Sequence, residues 1–109
     1  MARFLGSFEH LLLLALAHLG NEAYTVPIRA FLEEHTGRAV SPGAIYTALN
    51  RLEARGFVSS RFGDPTPERG GKRKKFYRLE PEGAAAVSDT QQQLSRLGRS
   101  LSVRLRSLS

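Results

Sequence analysis

Apolar residues recur at spacings of three and four along the first stretch of the chain: Phe4, Phe8, Leu11, Leu12, Ala15 and Leu19. That periodicity predicts a helix from Phe4 to Leu19. Leu13, Leu14 and Leu16 widen its apolar surface nearly all round. Such a helix requires burial on two sides, in its own core and against a second subunit. Gly20-Asn21 ends it. A second helix is expected from Ala23 to His35, with Val26, Ile28, Phe31 and Leu32 as its apolar set. Pro27 is tolerable there only within the first turn. Thr36-Gly37 closes that helix, and Ser41-Pro42 opens a third, serine as N-cap and proline at the first helical position. Ile45, Ala48, Leu49 and Leu52 form one stripe of this helix. At about 100° per residue, Gly43, Thr47, Asn50 and Ala54 face the other way, with Tyr46 and Arg51 on the flanks.

Gly56 stops the third helix, and the period then changes. Phe57 to Phe62 and Lys75 to Leu79 have strand character. They are joined by Gly63 to Lys74, a long polar loop holding Pro65, Pro67, Gly70 and Gly71. Pro81 begins a fourth helix in which Val87, Leu94, Leu101 and Leu108 lie seven apart. Leu97 and Leu105 fill the same face and make a heptad-like seam. There is no internal repeat and no separate linker. The expected class is mainly α with a small β-hairpin, a winged helix-turn-helix followed by a C-terminal helix. Residues 1–80 are read as the DNA-binding domain and residues 81–109 as the dimerisation helix.

Charge turns this pattern into a functional expectation. The chain has 109 residues and a formal net charge of +6. Residues 1–50 hold three arginines against four glutamates, so the whole excess lies in the second half. Arg69, Lys72, Arg73, Lys74, Lys75 and Arg78 crowd the hairpin without an acid among them, around Phe76-Tyr77. A basic loop tip with aromatics at its base suits a wing laid over a phosphate backbone or reaching into a minor groove. The third helix supplies the complement: an apolar face to anchor it, and an outer face small and polar enough to approach base edges. Asn50 offers a donor and an acceptor to adenine, Thr47 a hydroxyl or a methyl, and Gly43 leaves room. Ser41, Tyr46 and Arg51, with Arg73, Lys74, Lys75 and Tyr77 of the wing, are the expected backbone contacts. The expected partner is double-stranded DNA. A winged helix that binds RNA or docks on protein would use the basic wing and leave the third helix idle.

Leu94 to Leu108 runs farther than a small core could use. Leu12, Leu16, Val87, Leu94, Leu97, Leu101, Leu105 and Leu108 are therefore the expected dimerisation residues, forming a homodimer that presents two reading helices to a roughly palindromic site. Arg96, Arg99, Arg104 and Arg106 leave a membrane-surface or further DNA-contacting role open for the same helix.

Enzyme chemistry finds no footing in the chain. Cysteine is absent, which excludes disulfides, thiolate catalysis and cysteine-ligated metal. His10, His18 and His35 lack metal-ligand spacing, and no acid pair or nucleophile motif occurs. Gly70-Gly71-Lys72 lacks the upstream glycine and the following Ser/Thr of a phosphate loop. No cofactor is implied. The apolar run Leu11–Ala17 is far shorter than the roughly 20 residues of a membrane span. Glu9 and His10 interrupt it where a signal peptide would be apolar, which places the protein in the cytoplasm.

Several stretches together resemble one family. These are Leu5-Gly6-Ser7-Phe8-Glu9, Leu19-Gly20, Ala23 to Ile28, Gly43 to Val58, Pro67 to Leu79 and Glu82-Gly83. Over residues 5 to about 90 the chain looks like a PadR-family transcriptional regulator. The resemblance implies a winged-helix dimer, usually a repressor on a promoter operator, whose dimer is built by the C-terminal helix together with the first. It implies that Tyr46, Asn50 and Arg51 lie on the recognition helix, and that Lys75 and Tyr77 lie on the wing strand that contacts backbone. Thr25 stands where the family usually has glycine, and Glu80 where a threonine usually caps the fourth helix. No tryptophan is available to stack on planar effectors. The short C-terminus leaves the dimer interface as the place for any small-molecule effector, whose identity the residues do not specify.

Overall fold

Residues 5–63 and 73–108 are described by the computed structural model of the chain. The expectations for Phe4, Pro65, Pro67, Arg69, Gly70, Gly71 and Lys72 lie outside these residues.

The first helix, α1 (Ser7–Leu19), opens with Glu9 reaching back: its Oε1 accepts from the Gly6 N–H at 3.0 Å. One donor left open by the helix start is thereby satisfied. The second, α2 (Thr25–Thr36), starts at Thr25 and not at Ala23, because Gly20–Glu22 forms a 3₁₀ turn. Ala23 is fully buried and its carbonyl accepts from the Tyr77 N–H at 2.8 Å, so its backbone serves the sheet. Pro27 does fall in the first turn, where its missing N–H costs nothing: the bond from Ile28 N–H to Tyr24 O at 3.1 Å begins the helix after it.

The third helix, α3 (Pro42–Ala54), begins as its sequence dictates, with Ser41 Oγ accepting from Ala44 N–H at 3.1 Å. It ends where Gly56 takes a left-handed conformation at φ 77°, accessible to glycine without a Cβ penalty. Phe57 still belongs to that exit, donating to Leu52 O at 3.0 Å, so the strand β1 runs Val58–Phe62. It pairs antiparallel with β2 (Lys75–Leu79) in the register Val58↔Leu79, Ser60↔Tyr77 and Phe62↔Lys75.

The last helix, α4 (Pro81–Leu108), starts directly after Glu80. The Glu80 N–H donates to Phe57 O at 3.0 Å and its carboxylate accepts from Ser59 Oγ at 2.7 Å. The acid thus ties the helix start to β1 in place of a threonine cap. Gly83 is required by packing: a Cβ there would lie 2.2 Å from Phe57 O. Ala86 is buried and Val87 packs against the core, whereas every residue from Gln91 to Leu101 is exposed. A 28-residue helix is roughly 42 Å long, and only its first turns have a body beneath them. The described molecule accordingly measures 61 × 32 × 20 Å.

The core gathers around α1, which touches α2, α3, β2 and α4. Leu12, Leu13 and Ala15 of α1 meet Ile28 and Leu32 of α2 and Ile45, Leu49 and Leu52 of α3 in one buried cluster. Among the described residues no helix is long and apolar enough to cross a membrane.

Candidate nucleic-acid interface

The two faces of α3 are divided by burial as the stripe requires. Ile45, Ala48, Leu49 and Leu52 are buried, and Gly43, Tyr46, Thr47, Asn50 and Arg51 are exposed. No atom lies within 4 Å of the place a Cβ would occupy on Gly43. The outer face is thus a shallow polar surface with an aromatic and a guanidinium beside it. The turn leading into it is held by Glu33, whose carboxylate accepts from Val40 N–H at 2.8 Å and from Arg29 Nε at 3.3 Å. The backbone bond first, then Arg29, hold this carboxyl below the ordinary carboxylate range.

Alternation divides the hairpin in the same way. On one side are Phe62, Lys75 and Tyr77. Lys75 Nζ stands 5.8 Å from the Tyr46 ring centroid, 5.8 Å from that of Phe62 and 5.6 Å from that of Tyr77. On the other side Arg61 lies 4.7 Å over the Phe76 ring, Phe76 meets Tyr24 edge-on at 5.3 Å, and Lys74 Nζ is 4.6 Å from the Tyr24 ring. Arg61, Lys74 and Lys75 each lie within about 6 Å of an aromatic ring centroid, an arrangement that steadies them while leaving their charge available. Ser60 Oγ donates to Glu53 Oε2 at 2.7 Å, a further tie between hairpin and α3.

Most of the expected backbone contacts are accessible, with one correction. Ser41, Tyr46, Arg51, Arg73 and Lys74 are exposed and Lys75 is half-buried. Tyr77 is not a surface residue: it is 2% exposed, because the register pairs it with Ser60 on the inner side of the sheet. Its hydroxyl has no hydrogen-bond partner among the described residues. Burial first, and then the neighbouring Tyr46, push its phenol up to about 12. Tyr77 is therefore a core residue beneath the interface. Arg61 and Phe62 were missed; the signal was present in their place opposite Phe76 and Lys75.

Three expected dimerisation residues also move. Leu12 is 0% and Leu16 2% exposed, so both are consumed by the protomer's own core. On α1 it is Leu14 and Ala17 that keep accessible surface. Val87 belongs to the protomer as well, packed on its core. The lower seam is largely exposed: Leu94, Leu97, Leu101, Leu105 and Leu108 are 53–74% exposed. Helix α1 stands between α3 and α4, bonded to Arg55 at the end of α3 through Glu9 (3.6 Å) and to Gln91 of α4 through His10 Nε2 (2.9 Å). Among the described residues no group of three or more His, Asp or Glu could hold a metal ion.

Three helices, a cationic hairpin and a polar outer face on the third helix define a winged-helix DNA-binding protein. The family model described as "Transcriptional regulator PadR-like family" matches residues 13–89. The transcriptional regulator Rv3488 of Mycobacterium tuberculosis is 36% identical over 81 residues, which span 72% of this chain and 69% of that protein. A PadR family transcription regulator from Clostridium difficile has the same fold, with a TM-score of 0.74 at 22% identity, over 92% of this chain and 99% of that one. A PadR family transcriptional regulator from Eggerthella lenta gives a TM-score of 0.70 at 27% identity, over 87% and 80% of the two chains. The chain belongs to the PadR-like family of transcriptional regulators. It is a DNA-binding regulator and not an enzyme.

Proposed function

We propose that this protein is a repressor that binds a roughly palindromic operator as a homodimer, reading bases with α3 and gripping backbone with the hairpin. One observation carries the reading: the exposed face of α3 is small, polar and nearly uncharged, and the cations lie beside it on the hairpin. Gly43, Thr47 and Asn50 would meet base edges, with Ser41, Tyr46, Arg51, Arg73, Lys74 and Lys75 on phosphates. Phosphate contacts supply affinity for any sequence, whereas a donor–acceptor side chain such as Asn50 discriminates among bases.

The dimer reading rests on the lower part of α4. Five leucines more than half exposed on one helical face are stable in water only when covered. We assign residues 81–109 this pairing role and residues 1–80 the DNA-binding role, with Leu14 of α1 as an additional contact. Repression follows from occupancy of a promoter. An effector of unassigned chemistry would act at the interface between the two α4 helices.

Selection of bound sites from random duplex DNA tests the function. An enriched, two-fold symmetric motif is expected. Enrichment without a motif would leave a non-specific binder, and preference for RNA or for no nucleic acid would overturn the reading. Sedimentation of the wild type beside Leu94→Asp and Leu101→Asp tests the dimer, which the wild type must show and the variants lose.

A further inference from the structure

The distal half of α4 carries a second feature, opposite the leucine seam. Beyond Asp89 the chain has no acidic residue, yet it holds Arg96, Arg99, Arg104 and Arg106. At about 100° per residue, Arg96, Arg99 and Arg106 fall on the side away from Leu94, Leu101 and Leu105, and Arg104 lies at the edge of the seam. All four arginines are exposed. Arg99 donates from Nη1 to Ser95 Oγ at 2.9 Å, which lays it along the helix. Gln91, Gln92, Ser95, Arg96 and Arg99 line a shallow depression of ≈450 Å³.

This concentration is unfavourable on its own. Arg96 and Arg99 are neighbours one turn apart, and like charges at that spacing weaken a helix. Solubility would be served better by mixed charge. A polyanion removes the penalty. The side-chain set selects among polyanions: every cation is arginine, whose planar fork matches phosphate bidentately, and the interleaved Gln and Ser are phosphate-contacting types. From Arg96 to Arg106 the strip spans roughly 15 Å, about four phosphates of one strand at 3.4 Å each. The strip is also separate from the outer face of α3 within the protomer. Helix α1 stands between α3 and α4, and the strip lies on the part of α4 that has left the body.

We propose that the arginine face of distal α4 is a second, sequence-independent site for DNA backbone, engaging a duplex segment other than the one read by α3. The choice of duplex DNA as the polyanion rests on the proposed function of α3; the surface itself does not depend on how the seam is covered. A dimer so equipped holds two duplex segments at once.

The test compares the full-length wild type with the R96Q/R99Q/R106Q and R96K/R99K/R106K triple variants. Circular dichroism and sedimentation should be the same for all three, since the substituted side chains are exposed and face away from the seam. Affinity for a short duplex holding only the selected operator should be unchanged. Capture of a second, labelled duplex by protein bound to immobilised DNA should be lost in the Gln variant and weakened but not lost in the Lys variant. For long non-operator DNA the salt dependence of the Gln variant should be shallower by about three, one per arginine. Equal capture by wild type and Gln variant, or no capture by the wild type, would overturn the proposal. So would loss of binding to anionic vesicles or acidic peptide with DNA capture intact. Asn50→Ala should weaken operator preference and leave capture in place, so failure of the α3 reading is distinguishable from failure of this one.

Discussion

Lys75 Nζ of β2 stands 5.8 Å from the ring centroid of Tyr46 on α3, so the third helix and the hairpin share one cation–aromatic contact. The Ser60–Glu53 hydrogen bond at 2.7 Å fixes the same pair of elements farther along. Hairpin and helix are therefore tied together, and the proposed function gives the two a different task on DNA. Replacing Lys75 by glutamine separates those tasks. It should lower affinity for operator and scrambled duplexes alike and make the salt dependence shallower by about one. Lys75 is half-buried beside three rings, and one cation–π contact contributes about 0.5–1 kcal/mol, so the melting temperature should fall by a few degrees. Salt-dependent fluorescence anisotropy together with a melting curve checks both outcomes.

Two titrating groups make stability depend on pH. Glu33 is held below its ordinary range in the folded protein, so its contribution is present above the unfolded value and is lost as pH falls through the folded one. Glu33→Gln should remove that part of the acid sensitivity. Tyr77 has the opposite sign. Its phenol is raised from 10 to about 12, so between those values the folded state holds a proton that the unfolded state has lost. Stability should therefore fall as pH rises from 10 towards 12. Tyr77→Phe should abolish this fall and the last tyrosinate step in ultraviolet absorbance. Because the hydroxyl is buried without a partner among the described residues, the variant should be at least as stable as wild type near neutrality, by up to about 1 kcal/mol.

Two glycines give contrasting outcomes. Gly83→Ala adds helix propensity worth up to about 1 kcal/mol. It also drives a Cβ to 2.2 Å from the Phe57 carbonyl oxygen, a backbone atom that cannot turn aside. The clash should win, with a net loss of about 1–3 kcal/mol on denaturant unfolding. Gly43→Ala meets open space and should leave stability unchanged or slightly raised. Its effect should appear on DNA, where the added methyl stands between α3 and the base edges. Operator affinity falling with stability intact is the expected pattern.

Local chemistry made α3 legible in full. A capping serine, proline at the first helical position, an apolar stripe at helical spacing and a left-handed glycine all act within one element. What failed required knowledge of neighbours. Leu12 and Leu16 lie on a helix apolar nearly all round, and no spacing rule distinguishes the side that meets α3 from a side that would meet a second subunit. In the sequence Tyr77 stands among cations and looks like one of their surface. Strand alternation sets it on the side of Phe62 and away from Arg61, and only the register with β1 makes that side the inner one. The start of α2 depended likewise on a distant partner, the Tyr77 N–H that takes up the Ala23 carbonyl.

The central claim is that α3 reads sequence while the hairpin supplies affinity, and Asn50 tests it most directly. Wild type and Asn50→Ala would be titrated with the selected operator and with a scrambled duplex of equal length and salt. Asn50 is exposed and its replacement should leave the fold intact. The account predicts a loss of about 1–3 kcal/mol on the operator, with binding to the scrambled duplex unchanged. An unchanged operator preference, or an equal loss on both duplexes, would contradict it.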